Sequence, residues 1–422
     1  MKIISISKAL TLVKTTEKKQ NTKLVQNIID QVIKNGDSSL YEFEKKFNGV
    51  NIKNLQVSKK EIKDAYKLVS KDQINAITES KNRLLKTESI LKKQLRKISF
   101  TIDGTKISKS FEPLNIVGCY VPGGLAQYPS SAIMSVTPAK LAGVGKIVVA
   151  TPPNKQGRIE PIVLVAADIC GADIILKIGG AHAIAALAVG TQSVPQVDKI
   201  VGPGGAFATT AKYLVSDIAA IDMLAGPTEL VILADDSTNP RLVALDIISQ
   251  AEHSSDTRCY IITTSQSFAK KVSAEIAKLL PSIPRKDIVQ QSLQKNGFIA
   301  VGKLDDVILL ANKIAPEHIQ IMTKNADKIS QKITSAGLVL VGTNTPSAAS
   351  DYLLGTNHIL PTNKFGRTRG SLSVLDFIKI KTTTKSSKAT LQKISKHLKI
   401  LTDSENLPNH YRSEEHTSEL QS

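Results

Sequence analysis

Tryptophan is absent from this 422-residue sequence, and aromatic residues make up only 4% of it. Little material is left for a surface on which nucleic-acid bases stack. Cysteine is almost as scarce. Cys119, Cys170 and Cys259 are widely spaced and odd in number, which argues against a disulfide framework and for a reducing, cytoplasmic setting. No apolar run approaches the roughly 20 residues of a membrane-crossing helix. The start, MKIISISKALTLVKTTEKK, has neither the long apolar core nor the small-residue cleavage site of a secretory signal. Neither a membrane nor a nucleic acid is expected as partner. CxxC, HExxH and GxGxxG are also missing, so no metal or dinucleotide can be assigned from a single motif.

What is present is a soluble, globular composition, 41% hydrophobic and 22% charged, long enough for two or three domains. The formal charge of +18 comes from lysines spread through helical stretches such as 58–97 and 382–399, mixed with Glu, Asp and Leu. That pattern reads as a solvated surface, without the interleaved aromatics of an RNA platform. Residues 1–100 read as mostly helical. From Phe111 to about Asp236 short β-branched runs alternate with glycine turns and alanine-rich helices. Buried strands are expected at 146–150, 174–176 and 199–201, and a second set at 229–234, 260–263, 299–301 and 338–341. Alternation of this kind specifies an α/β fold with parallel sheets. A polar helix and a short end segment are expected over 382–411. Residues 412–422 lack a packing period and are expected to be a non-native tail.

Histidine is scarce, and four of the seven sit in compact polar clusters: QAEH (Gln250–His253), PEH (Pro316–His318), DYLLGTNH (Asp351–His358) and ENLPNH (Glu405–His410). Asn239 and Pro240 signal a helix start, after which Val243, Ile247 and Gln250 fall on one stripe with His253 three residues on. Two readings stand: a satisfied core amide beside a surface imidazole, or half of a site for Zn²⁺ or a similar divalent ion. Glu317 and His318 follow a proline, expected at the start of a helix. They are either an acid–base pair or a helix-start carboxylate with an incidental histidine. Glycine turns at Tyr120–Gly124, Gly179–His182 and Gly202–Gly205 follow strand-like runs. They serve either tight-turn geometry or close approach to a dinucleotide phosphate.

Taken in order, YVPGG at 120, GGAHAIAALAVGT at 179, VDKIVGPGGAF at 197 and AIDMLAGPTELVILAD at 220 closely resemble the histidinol dehydrogenase family. LDIISQAEHSSD at 245, APEH at 315, SAASDYLLGTNHILPT at 347 and SLSVLDFIK at 371 extend the likeness, which runs from about residue 20 to 411. The resemblance implies zinc held by Gln250, His253, Asp351 and His410, and catalytic bases at Glu317 and His318. It implies L-histidinol contacts at Thr228, Gln250, His253, His318, Asp351, His358, Glu405 and His410, and NAD⁺ contacts at Tyr120, His182 and Gly205. Thr228 stands where the family has Ser, His182 where it has Gln, and Gly205 where it has Asn.

The fold so implied has two Rossmann-like parallel-sheet domains with small helical N- and C-terminal extensions, in an intertwined homodimer. Residues 1–110 are expected to pack with 230–370, which carries the zinc and catalytic residues. Residues 111–229 form an inserted domain on the NAD side, and 371–411 complete the neighbouring subunit's site. The alternative activity on this scaffold is oxidation of another small alcohol or diol. An aldehyde-dehydrogenase-like thiol route would need an activated cysteine, and none of the three stands in such a context.

Overall fold

A computed structural model describes residues 1–13, 21–123 and 127–419, with side chains as far as Ser413; Gly124 of the 120–124 turn lies outside the described residues. The first strands in chain order are β1 Lys2–Ser5, β2 Ile98–Ile102, β3 Thr105–Pro113, β4 Ile116–Tyr120 and β5 Lys146–Thr151. Next come β6 Ile174–Lys177, β7 Lys199–Val201, β8 Ala220–Ile221, β9 Glu229–Ala234 and β10 Arg258–Thr263. The last are β11 Phe298–Val301, β12 His318–Met322, β13 Leu338–Val341 and β14 Ile378–Lys385. The chain divides into two compact units. One comprises Met1–Ile90 with Leu114–Phe377; the other comprises Leu91–Pro113 with the residues from Ile378 onward.

The first unit holds two all-parallel sheets joined in sequence. One has the order β6-β5-β4-β7-β8, the other β1-β11-β10-β9-β12-β13. Counted from β4 and from β9, both follow the 3-2-1-4-5 Rossmann order, so strand order reverses between β4 and β7 and again between β9 and β12. The inner strands β4, β5, β9 and β12 are buried on both faces because helices cover the sheets. In β9 (ELVILA), Leu230, Ile232 and Ala234 enter one core and Val231 and Leu233 the other, the period of two that a strand requires. Each such aliphatic side chain contributes roughly 1.5–3 kcal/mol relative to exposure.

The N-terminal region does not pack as a block with 230–370. Among the described residues, β1, paired with β11, and helix Ile6–Leu12 join that sheet. Helix Lys71–Gln94 reaches the same region at Tyr352 and Leu353, through Ser80 and Arg83. Helices Thr22–Asn35 and Asp37–Phe43 cover the other sheet instead. The reason lies in the stripe Val25, Ile28, Ile29 and Val32, which meets the alanine-rich helix Gly180–Val189; its small side chains let a helix approach closely. Residues 55–57 then run along β6, with Val57 N–H on the Ile175 carbonyl and Lys177 N–H on that of Leu55.

The second unit also departs from expectation. Where helix was expected near residues 98–100 and 382–385, β2 and β3 form a hairpin, and β14 pairs antiparallel with β3. Asp103 and Gly104 turn the hairpin with φ of 46° and 83°, as a two-residue Asp-Gly turn demands. The β-branched run Thr382–Thr384 favours strand over helix for the same reason that Val and Ile do. Helix Lys388–Ser404 follows, capped by Ser387 on Thr390 N–H. Helix Pro408–Glu419 carries the expected tail on as continuous backbone, and residues 420–422 lie outside the described residues.

Candidate active site

Helix Leu304–Ile314 ends at Ala315, whose φ of 48° turns the chain out of the helix, and Pro316 prevents its resumption. Glu317 therefore stands at the amino end of β12 and His318 is the strand's first residue. The expected helix start is corrected to a strand start. The run His-Ile-Gln-Ile-Met is wholly buried between β9 and β13, which a parallel sheet accommodates. The Glu317 carbonyl accepts Leu338 N–H. Its carboxylate Oε2 accepts Glu229 N–H at 2.9 Å, from the first residue of the neighbouring strand β9.

His318 is 2% exposed. Its Nε2 lies 3.3 Å from Asp351 Oδ1 and its Nδ1 4.0 Å from Glu317 Oε2. The first is an ion-pair distance without hydrogen-bond alignment, so both imidazole nitrogens and Asp351 Oδ1 are buried without a hydrogen-bond partner among the described residues. Burial raises the Glu317 pKa to about 8, against the opposing pull of His318 and the Glu229 N–H, with Asp351 and Glu229 adding to the rise. Burial disfavours the charged His318, but Asp351 and Glu317 outweigh it and its pKa is raised. Asp351 is lowered, because His318 and the neighbouring histidines outweigh its burial. Two carboxyl groups within one cluster are thus driven apart in proton affinity, the arrangement that separates an acid–base group from a fixed charge.

The other residues of this cluster come from three segments. Asn239 caps helix Pro240–Ala251 through Arg241 N–H, and Val243, Ile247 and Gln250 are all buried on it. Gln250 Oε1 lies 3.4 Å from the hydroxyl of Ser347, which opens the helix Ser347–Tyr352 that carries Asp351. His253 is at the exposed rim after the helix, near enough to act electrostatically on Asp351. His358 Nδ1 donates to the Asp351 carbonyl at 2.7 Å, which leaves Nε2 its lone pair; burial lowers its pKa. Thr228 is half-buried beside Glu229. The structure thus gathers Thr228, Gln250, His253, Glu317, His318, Asp351 and His358. Glu405 and His410 belong to the second unit, where both are exposed, at the end of helix Lys388–Ser404 and in the first turn of helix Pro408–Glu419.

Sequence reasoning missed Glu229. Its Oε1 accepts Arg258 Nη1 at 2.9 Å and Asn363 N–H at 3.3 Å, and burial raises its pKa to about 7. The available signal was a charged residue opening an otherwise apolar strand. The three thiols are buried, and burial lifts Cys119 to about 12 and Cys170 to about 11. Neither provides a ready thiolate nucleophile.

At the glycine turns expected to meet a dinucleotide, His182 lies in the core. Its ring is 2% exposed and its Nε2 donates to Glu44 Oε1 at 2.8 Å. The same oxygen accepts Gly179 N–H at 2.9 Å, and Oε2 accepts the Asn48 amide. His182 is therefore a core residue tied to the glycine turn rather than a group lining a cleft. Tyr120 is also buried, its hydroxyl accepting Gly180 N–H. Gly205 faces open space and begins helix Ala206–Leu214 without a side-chain cap.

Two doubly wound sheets with a buried acid–imidazole centre at the strand ends define an α/β protein equipped for proton transfer. The family model described as histidinol dehydrogenase matches residues 12–416. A histidinol dehydrogenase of Methanococcus maripaludis is 42% identical over 387 residues, spanning 92% of this chain and 91% of its own. One from Bacillus anthracis is 41% identical over 415 residues, 96% of each chain. The crystal structure of histidinol dehydrogenase from Elizabethkingia anophelis superposes with a TM-score of 0.92 at 32% identity, covering 98% of this chain and 97% of that one. The chain belongs to the histidinol dehydrogenase family.

Glu44→Ala tests the role of the buried carboxylate. It strips Gly179, His182 and Asn48 of their acceptor, and stability is expected to fall by about 2–4 kcal/mol in urea unfolding, since each buried donor left unpaired costs about 1–3 kcal/mol. A loss below about 0.5 kcal/mol would show that water replaces the carboxylate.

Proposed function

We propose that this protein oxidises L-histidinol through L-histidinaldehyde to L-histidine, consuming two NAD⁺, in the cytoplasm. The observation that carries the reading is the buried group Glu317, His318 and Asp351, with three polar atoms left open to a ligand in a chain of this family. The donor set also suits Zn²⁺. Asp351 Oδ1 lacks a hydrogen bond, its carboxylate stays ionised, and Gln250 brings an amide oxygen to the same cluster. Gln250, His253 and Asp351, with His410 from a second copy of the chain, would hold the ion. Bound there, zinc would fix the substrate's amine and imidazole nitrogens and polarise the reacting oxygen.

The remaining chemistry falls to side chains. His318 takes the hydroxyl proton as the carbinol carbon gives up hydride, so the alcohol becomes an aldehyde. Glu317 then removes a proton from the water that adds to the aldehyde while His318 returns its proton to the aldehyde oxygen. Neutral again, His318 takes the hydrate's hydroxyl proton as the second hydride leaves. NAD⁺ is the hydride acceptor in both steps. The turn Gly202–Gly205, with Gly205 at its open edge, is the side from which it would approach; Tyr120 and His182 act through the glycine turns they hold. Thr228, His358 and, from the second copy, Glu405 would complete the contacts to the substrate. A homodimer is supported by apolar groups on the second unit, where Ile98, Phe100, Ile102, Ile380, Ile400 and Leu401 are exposed.

Limiting histidinol should yield two NADH per molecule with zinc-loaded protein. A yield of one, or turnover of another alcohol without histidinol, would overturn the assignment.

Glu317 must be ionised to act as a base, so oxidation of histidinaldehyde supplied directly should rise with pH through about 8. Glu317→Gln should remove that rise and slow this step by roughly 10²–10⁴-fold, while histidinol oxidation falls less. An unchanged pH profile would transfer the role to another group.

Mixing inactive His410→Ala and His253→Ala subunits should restore activity in heterodimers, each of which has one intact site. Heterodimers that form and remain inactive would exclude a site shared between subunits.

A further inference from the structure

The segment Asp222–Thr228 joins β8 of one sheet to β9 of the other, and it is held at both ends. At its start, Asp222 Oδ2 accepts Gly202 N–H at 2.7 Å. Lys212 pairs with Asp222 Oδ1 and donates to the Gly202 carbonyl at 3.0 Å, both side chains being buried. In the middle, the Thr209 hydroxyl lies between two carbonyls, 3.1 Å from Gly204 and 2.9 Å from Ala225. On the other flank Gly226 N–H donates to the buried Thr362 hydroxyl at 2.5 Å. Asn363 fills the space above Gly226, so even one methyl group there would collide with it. The segment ends where the Thr228 carbonyl accepts Arg258 N–H and Glu229 N–H grips Glu317.

One short stretch of backbone therefore touches the Gly202–Gly205 turn through Asp222 and Thr209, and the catalytic carboxylate through Glu229. A shift of the turn by a few tenths of an ångström is passed to Thr228 and Glu317, because closely packed backbone has little room to absorb it. We propose that this strap makes dinucleotide binding at the glycine turn and substrate binding at the acid–imidazole cluster cooperative, with Thr209 the positioning residue that joins the two. The proposal rests on the functional reading above. It assigns Thr209 no contact with either ligand. Its hydroxyl holds the Ala225 carbonyl against the turn, so the ligand that orders one end prepays the ordering of the other.

The test uses NADH with histidinol, a pair that cannot react because the cofactor is already reduced. The histidinol Kd of zinc-loaded enzyme is measured by calorimetry with and without saturating NADH. Wild type should bind histidinol at least 5-fold more tightly when NADH is present. Thr209→Val, of equal size but without the hydroxyl, should reduce this ratio below 2-fold while each Kd measured alone changes less than about 3-fold. Thr209→Ser should retain the ratio. Should Thr209→Val fail to fold, Thr362→Val removes the acceptor at the other flank and should lower the ratio likewise. A ratio of one in the wild type, or a full ratio in the valine variants, overturns the proposal while leaving the functional reading intact. Wild-type protein that neither binds nor oxidises histidinol overturns both.

Discussion

The site depends on a single backbone donor, the N–H of Glu229 on the carboxylate of Glu317. It exists because β9 and β12 are neighbours in the parallel sheet, paired with His318 beside Leu230. That register puts Glu317 one residue before its strand, level with the first N–H of β9. The N–H of a strand's first residue needs a partner of its own when buried. Here a carboxylate provides it. The same pairing buries His318 between two strands and leaves its imidazole facing Asp351. Shifting β12 by one residue would turn His318 to the opposite face and remove Glu317 from its donor.

The two sheets share a strand order but expose opposite ends to chemistry. In the first, the glycine turns follow β4 and β7 at the carboxyl ends, beside the reversal of strand order where doubly wound sheets take ligands. In the second, Glu229, Glu317 and His318 lie at the amino ends, and the crossover helix Pro240–Ala251 brings Gln250 and His253 to the same level. The strap from Asp222 to Thr228 spans these ends. The strap thus joins one sheet's carboxyl edge to the other's amino edge within one compact unit.

Much of this was legible in the sequence. The period-two burial of strands such as 229–234 is written in their β-branched runs, and Asn239–Pro240 announced its helix. The clusters around Gln250, His318 and Asp351 could be singled out because histidine is rare. What failed did so for physical reasons. The run His318–Met322 is too short for periodicity to separate a buried strand from a helix, and an adjacent Pro-Glu pair imitates a helix start. Asp103–Gly104 did carry a hairpin signal, overridden by the lysine-rich helical texture before it. The division of residues 1–57 between two sheets depends on tertiary packing, with the stripe Val25–Val32 set against alanines about 150 to 160 residues away. His182 could be matched to a family position, but nothing local to it pointed to Glu44, which meets it only in the folded chain.

Among the buried carboxylates of the first unit that accept backbone N–H groups, Glu44, Asp222 and Glu317 differ in their further partners. Glu44 accepts Gly179 N–H and is completed by His182 and Asn48. Asp222 accepts the N–H groups of Gly202 and Met223 and is completed by Lys212. In both, the additional donors fix the side-chain rotamer, which suits a group that must only hold a turn. Glu317 has the N–H of Glu229 and then an imidazole no closer than 4.0 Å, itself turned toward Asp351. Burial is left largely uncompensated, and so the proton affinity of Glu317 rises to about 8 while that of Asp351 falls. Of these three, the carboxylate proposed as the base is the one held by the fewest donors. A base must be able to exchange its proton near neutral pH, and a fully solvated or fully paired carboxylate is too weak to take one.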